Sequence, residues 1–227
     1  MKNLTEGVPD PDPGAAAPDG YAFELSGGHL ALDFSNTVSR RPDPADNRER
    51  LTHFGRLVTW GEQAGLLKEK EAQRLRAGAK DHARAAAATL RRAVTLREAI
   101  FELFSAHARG EKAPEDALEV LNGEVPGAYS CLRLGPDREG FSWSLSCKDE
   151  GAAPILAPVV RAAAELLTSP DVGRVRECNL ETCSWLFLDH SKNGTRRWCD
   201  MAVCGNRAKA RRHYAREKKA ARRKSAD

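Results

Sequence analysis

The chain has 227 residues, of which 41% are hydrophobic and 30% charged, and its formal net charge is +4. This composition is ordinary for a globular protein and accommodates one large domain, or a medium domain with a small module. No run of about 18 apolar residues is present and the amino terminus lacks the apolar stretch of a secretory signal, so we expect a cytoplasmic protein with no membrane span.

Residues 1–20 are predicted to form a disordered leader, because prolines, acids and small residues predominate there. Order is expected to begin with a short strand over residues 21–25. A helix over residues 29–38 should follow, since Leu30, Phe34 and Val38 recur every four residues.

Apolar periodicity predicts four further helices, over residues 52–64, 68–80, 81–109 and 114–122. Gly110 is expected to end the longest of them. The pattern then changes to period two: residues 128–134 and 140–147 flank a turn at 135–139, which predicts a β-hairpin with Phe141, Trp143 and Leu145 on one face.

Two cysteines, Cys131 and Cys147, lie in the predicted hairpin and are interpreted as core or half-buried thiols. A last helix is predicted over residues 152–167, and Ser169-Pro170 breaks it. Residues 21–170 are therefore predicted to form one mostly helical α+β domain, followed by a small module over residues 171–223 and a short tail, 224–227.

Four cysteines in this second segment form two pairs with identical internal spacing: Cys178 and Cys183, then Cys199 and Cys204. Six cysteines in a reducing compartment favour metal binding over disulfides. Four thiolates at this spacing predict one structural Zn²⁺ with no open coordination position. Two weaker alternatives remain. In one, His190 or His213 replaces one of the cysteine ligands; in the other, the cysteines form a redox-active dithiol.

The segment between the two Cys pairs predicts a second hairpin. Residues 185–189 and 195–198 flank the dipeptide Asn193-Gly194, a strong hairpin signal because both residue types tolerate positive φ. Trp185 and Trp198 are expected to pack beside the sulfur atoms.

Charge is segregated toward the carboxyl end. Residues 190–227 hold thirteen Lys or Arg against three acids, a net charge of +10, so the remaining 189 residues carry −6. From Gly205 onward a helix is predicted without an apolar stripe, which favours contact with a polyanion over burial. Among the residues predicted to contact nucleic acid, Asn206 and Arg207 have the chemistry to contact base edges, and the remaining basic residues are suited to phosphates. The predicted nucleic-acid contacts are Lys192, Arg196, Arg197, Asn206, Arg207, Lys209, Arg211 and Arg212.

The run Cys204-Gly205-Asn206-Arg207, the preceding Arg-Arg-Trp-Cys-x-Met-x-x-Cys pattern and the first Cys pair resemble the CGNR zinc-finger family. The stretch from Gly28 to Thr37 resembles the start of that family's N-terminal ABATE domain. This resemblance implies a bacterial, stress-related transcription regulator that binds DNA through its zinc finger.

The resulting hypothesis is a DNA-binding regulator without enzymatic activity, whose N-terminal domain senses an effector or forms a homodimer. Binding of RNA by the same basic surface is the first alternative. The second is a small-molecule-binding protein or enzyme with an accessory zinc module, since His29, Asp33 and Asn36 share a helix face that could line a pocket. Against a pocket, Asp33 and Asn36 have the chemistry to bond neighbouring loops instead.

Overall fold

A computed structural model of the chain describes residues 20–42, 47–146 and 151–224, with side chains described as far as 218. Nearly all of the predicted leader, and Cys147, lie outside the described residues. No helix in the described ranges is both long and apolar enough to cross a membrane.

Helices dominate the described chain, with three short antiparallel β-ribbons between them. The helices are α1 (Leu30–Ser35), α2 (Phe54–Gln63), α3 (Glu69–Asp81), α4 (Ala83–Arg109), α5 (Glu115–Ser130), α6 (Ala153–Thr168) and α7 (Asn206–Lys224). The strands are β1 (Val38–Ser39), β2 (Arg48–Glu49), β3 (Leu132–Asp137), β4 (Gly140–Leu145), β5 (Val175–Glu177) and β6 (Leu186–Leu188). The predicted class, a mostly helical α+β domain followed by a four-Cys module, is confirmed.

The main core lies where α1 packs against α4 and α6. Phe34, Trp60 and Ile100 are fully buried in it, and the rings of Phe34 and Trp60 lie 4.9 Å apart between centroids. Strands β5 and β6 contribute Val175, Leu186 and Leu188 to the same cluster. The segment that leads into the Cys pairs is therefore part of the main core.

Two predicted elements near the amino terminus differ from the structure. Residues 21–25 form no strand; the amide of Gln63 bonds the backbone N–H of Phe23 and the carbonyl of Tyr21 instead. Helix α1 ends at Ser35, and Val38 lies in β1, which pairs with β2.

Helix α5 continues to Ser130, well beyond the predicted end at residue 122. It passes through Gly123 and Pro126, residues that ordinarily end a helix. Ala117, Leu121 and Ala128 are buried from one side of α5. Packing against α4 and α6 outweighs the local helix-breaking preferences, and β3 consequently begins later than predicted.

The hairpin predicted in the domain is confirmed with a tighter turn. Asp137 pairs with Gly140, so only two residues connect β3 and β4. Cys131 lies buried beside this hairpin and is disulfide-bonded. Its predicted burial is confirmed, but its interpretation as a thiol was wrong, because the spacing of cysteines along the sequence alone does not reveal a covalent link.

A buried ion pair joins the β1–β2 ribbon to α4. Arg97, only 2% exposed, donates to both carboxylate oxygens of Glu49 at 2.6 Å and also pairs with Glu98. Two parallel charge-assisted bonds fix orientation as well as distance. The ribbon is thereby held on the face of the domain that carries the zinc module.

Candidate metal centre and nucleic-acid interface

The first Cys pair lies in the loop that connects β5 to β6. Cys178 directly follows β5, and its backbone N–H bonds the carbonyl of Trp185 at 2.7 Å. Within the loop the N–H of Cys183 bonds the carbonyl of Leu180 at 2.8 Å, and Ser184 has a φ of 60°. The loop therefore turns Cys183 back toward Cys178.

The second pair is held by a single wide helical turn, Met201–Gly205, that runs directly into α7. Asp200 caps this turn: its Oδ1 accepts the backbone N–H of Val203 at 2.7 Å, and its carbonyl accepts the N–H of Cys204 at 3.0 Å. The turn brings Cys199 and Cys204 to the same side, with their Sγ atoms 3.6 Å apart.

All four Sγ atoms lie within 4.8 Å of one another. Cys183 Sγ lies 3.7 Å from both Cys199 Sγ and Cys204 Sγ. A tetrahedron with Zn–S bonds of about 2.3 Å has S–S edges of about 3.8 Å. The three distances among Cys183, Cys199 and Cys204 match that edge length, Cys178 Sγ lies within 4.8 Å of all three, and four soft sulfur ligands suit zinc. It is a structural site for one Zn²⁺, and no ligand position is left for catalysis.

The thiols do not have independent acid–base behaviour. Hydrogen bonds from Cys183, Cys199 and Cys204 lower the pKa of Cys178, while sharing of protons with Cys178 raises the pKa of Cys183 and Cys199. Four thiolates at these distances repel one another strongly. A divalent cation removes that repulsion, so metal binding and deprotonation are coupled here.

Apolar side chains surround the sulfurs on the protein side. Leu180, Trp185 and Phe187 are buried in one cluster with three of the cysteines, and Trp198 packs against it, so the expected tryptophan contacts are present. The indole N–H of Trp185 donates to the carbonyl of Val38 at 2.8 Å. This bond attaches the zinc site directly to β1 of the domain.

The hairpin predicted between the Cys pairs was assigned to the wrong strands. Strand β6 pairs with β5, which precedes Cys178, and residues 195–198 form no strand. The turn at Asn193-Gly194 does form, with Gly194 at φ 60°. Asp189 holds it: burial alone would raise the pKa of Asp189, but hydrogen bonds from Ser191 and from the backbone of Arg196 outweigh burial and lower it.

The basic helix α7 begins with Asn206, directly after the buried Cys204 and Gly205. It contains ten Lys or Arg and one acid, and of residues 206–218 only Ala208 is not exposed. Ala208 packs against the zinc cluster, and Arg211 pairs with Glu181 at 2.5 Å. The first turns of α7 are therefore fixed to the metal site, and its basic side chains as far as Lys218 are exposed.

The residues predicted to contact nucleic acid divide into two groups. Lys192, Arg207 and Lys209 are exposed, as are Arg197, which lies over the Trp198 ring, and Arg212, whose Nε donates to the carbonyl of Ala208. Arg196, Asn206 and Arg211 are exposed as well, but each also makes a contact within the module. Arg211 pairs with Glu181. Arg196 bonds the carbonyls of Trp198 and Cys199, and the Asn206 amide N–H bonds the carbonyl of Ala202.

Two of the three residues proposed to line a pocket, Asp33 and Asn36, connect parts of the chain. Asp33 accepts the backbone N–H of Gly27 at 2.7 Å, and burial raises the pKa of Asp33 to about 6. Asn36 bonds both backbone groups of Leu186. These are the loop contacts that the alternative interpretation expects. His29 precedes α1, and burial lowers its pKa.

Three arginines that the sequence interpretation passed over lie beside the metal site. Arg40, Arg48 and Arg50 line a cavity of about 420 Å³ together with Arg207 and the ligands Cys183, Cys199 and Cys204. Their close spacing along the chain is a weak signal, since charged loops are common. The fold places them next to the start of α7.

Comparison with known families agrees with this architecture. A family model named ABATE, described as "Putative stress-induced transcription regulator", matches residues 28–170, and the CGNR zinc finger matches residues 174–217. No curated protein matches the chain. Neither matching family is described as an enzyme.

Proposed function

This chain belongs to the ABATE family, described as "Putative stress-induced transcription regulator", and carries a CGNR zinc finger; on that premise we propose that it binds duplex DNA through α7. The zinc site fixes the start of the helix, and the exposed basic side chains bind the polyanion. Residues 21–170 act as the regulatory part, which responds to an effector or pairs two copies.

The observation that carries this proposal is the junction at Cys204, Gly205 and Asn206. Cys204 is a metal ligand, Gly205 ends the wide turn, and Asn206 is the first residue of α7. Because these residues are consecutive, the bound metal determines the direction of the helix. A helix with ten basic residues and one acid repels itself in isolation. Phosphate groups relieve this repulsion and release counterions, which makes DNA a favourable partner.

The proposed contacts have distinct tasks. Arg207 lies at the helix start and has the chemistry to bind guanine in the major groove. Lys192, Arg197, Lys209 and Arg212 contact phosphates and position the helix. Arg196 donates to the carbonyls of Trp198 and Cys199 and so stabilises the zinc loop. Only the part of its guanidinium that is not bonded to these carbonyls is available to DNA.

Salt dependence of duplex binding tests the proposal. We expect the affinity for a fluorescein-labelled 30-base-pair duplex, measured by anisotropy, to fall steeply between 50 and 200 mM salt, by roughly 10²-fold for the four phosphate contacts named above. The double variant Lys209→Ala, Arg212→Ala should reduce the log–log slope by about 2. Arg84→Ala with Lys112→Ala removes the same charge from exposed positions elsewhere and should leave the slope unchanged.

Absence of binding at 50 mM salt, or an affinity indifferent to salt, contradicts the proposal. A matched RNA duplex serves as competitor. If it displaces the labelled DNA at lower concentration than unlabelled DNA does, the partner is RNA and the basic surface has the alternative function.

A further inference from the structure

The hairpin β3–β4 exposes an apolar face. Its cross-strand pairs are Leu132 with Leu145, Leu134 with Trp143, and Pro136 with Phe141. Side chains two residues apart along a strand point to the same side, so all six lie on one face. Phe141 is 76% exposed, Trp143 62%, Leu134 60% and Leu145 39%. This is the largest group of exposed large apolar side chains within a single element of the described chain.

The opposite face of the same hairpin is polar. Arg133, Ser142 and Ser144 lie there, and the charged side chains of Arg138 and Glu139 are in the turn. The hairpin is therefore amphipathic, but both of its faces are exposed. Two-stranded hairpins are at best marginally stable alone in water and require a layer packed on their apolar side.

We infer that this apolar face is a homodimer interface, in which the β3–β4 hairpins of two copies pack face to face. This inference rests on one part of the proposed function, the pairing of two copies through residues 21–170, and names the surface that pairs them; it does not depend on DNA binding. The face carries no charge, which disfavours a nucleic acid or an acidic peptide as its occupant.

Symmetry favours a second copy of the chain. An isologous contact requires a surface that complements itself. If the two-fold axis runs parallel to the strands and between the stacked hairpins, β3 of one copy lies over β4 of its partner. Leu134 then faces the partner's Trp143, and Pro136 faces the partner's Phe141. A small side chain thus meets a large aromatic one at each of these positions, as two packed sheets require.

The available area agrees with the same occupant. With about 200 Å² for each large side chain, the four exposed residues present roughly 450 Å² of apolar surface. A standard interface buries about 800 Å² on each partner, of which somewhat more than half is apolar. One hairpin face therefore supplies the apolar part of a standard dimer interface.

The test measures the mass of the full-length, zinc-loaded chain by sedimentation between 0.1 and 100 μM. We expect wild type to be a dimer and the double variant Phe141→Ser, Trp143→Ser to dissociate at least 100-fold more readily. Leu118→Ser is the matched control, because Leu118 is 41% exposed on α5 outside this face, and it should remain dimeric. Circular dichroism and zinc content report whether each variant is folded.

Iodide quenching of tryptophan gives a second measurement that needs no variant. Among the four tryptophans, only Trp143 is exposed, since Trp60 and Trp185 are buried and Trp198 is partly buried. Quenching of wild type should therefore decrease as concentration rises and dimers form. Three results would overturn the inference: a monomer at 100 μM with Trp143 quenchable, a monomer with Trp143 shielded by another part of its own chain, or a dimer that survives the double substitution.

Discussion

Asn36 provides the sharpest test of how the zinc module is joined to the domain. Its side-chain amide donates to the carbonyl of Leu186 at 2.8 Å and accepts the N–H of Leu186 at 2.9 Å. Asn36 is 3% exposed and Leu186 is fully buried, so water does not replace these bonds in the folded chain. Asn36→Ala removes both bonds and leaves two buried backbone groups unsatisfied.

An unsatisfied buried donor or acceptor costs about 1–3 kcal/mol, so the substitution should lower the free energy of unfolding by about 4 kcal/mol. For a chain of this size, about 2–4 °C of melting temperature is lost per kcal/mol, so we expect a decrease of about 10 °C. The assay is thermal unfolding monitored by circular dichroism, and zinc content is measured on the same samples.

Asn122→Ala is the matched control, because Asn122 is exposed on α5 and alanine is a good helix former. Its melting temperature should equal that of wild type or exceed it slightly. A decrease below 2 °C for Asn36→Ala, with zinc retained, would refute the view that Asn36 joins the two parts.

Three further predictions concern the metal, the pH dependence of stability and the buried ion pair. Metal analysis should find one zinc per wild-type chain, and Cys199→Ser should lose it; full zinc in that variant would contradict the ligand assignment. Because the folded pKa of Asp33 is about 6 and its ordinary value 3.8, the folded state binds the proton more tightly, so wild-type stability should fall as pH rises from 4 to 6. Asp33→Asn should lack this decline and be more stable than wild type at pH 7 by roughly 3 kcal/mol, measured by urea unfolding at each pH. Arg97→Met leaves the carboxylate of Glu49, whose side chain is 17% exposed, without its partner and should cost about 3 kcal/mol in the same urea assay, whereas a loss below 1 kcal/mol would show that the pair contributes little.

Local signals in the sequence predicted the zinc ligands and most helices. The four cysteines needed only their spacing, and Gly110 ends α4 in the left-handed conformation that glycine permits. The CGNR and ABATE resemblances, carried by short motifs, are confirmed by the family matches.

Long-range packing accounts for the predictions that failed. Asn193-Gly194 is a strong local turn signal, yet β6 pairs with β5, because Val175, Leu186 and Leu188 complete the main core. The salt bridge between Arg97 and Glu49 joins residues 48 positions apart and has no local pattern. Similarly, the bond from Asn36 to Leu186 spans 150 positions, so the sequence indicated that Asn36 has the chemistry to bond a loop but not which residue it bonds.

The β5–β6 ribbon limits how freely the zinc finger can be exchanged between proteins. A fragment that begins at residue 171 keeps all four ligands but exposes the side chains of Leu186 and Leu188 and leaves the Trp185 indole without the carbonyl of Val38. Transplantation of the finger onto another protein would therefore have to carry its α1 and β1 contacts as well. In this chain Asn36 and Val38 of the domain are therefore part of the structural support of the zinc finger.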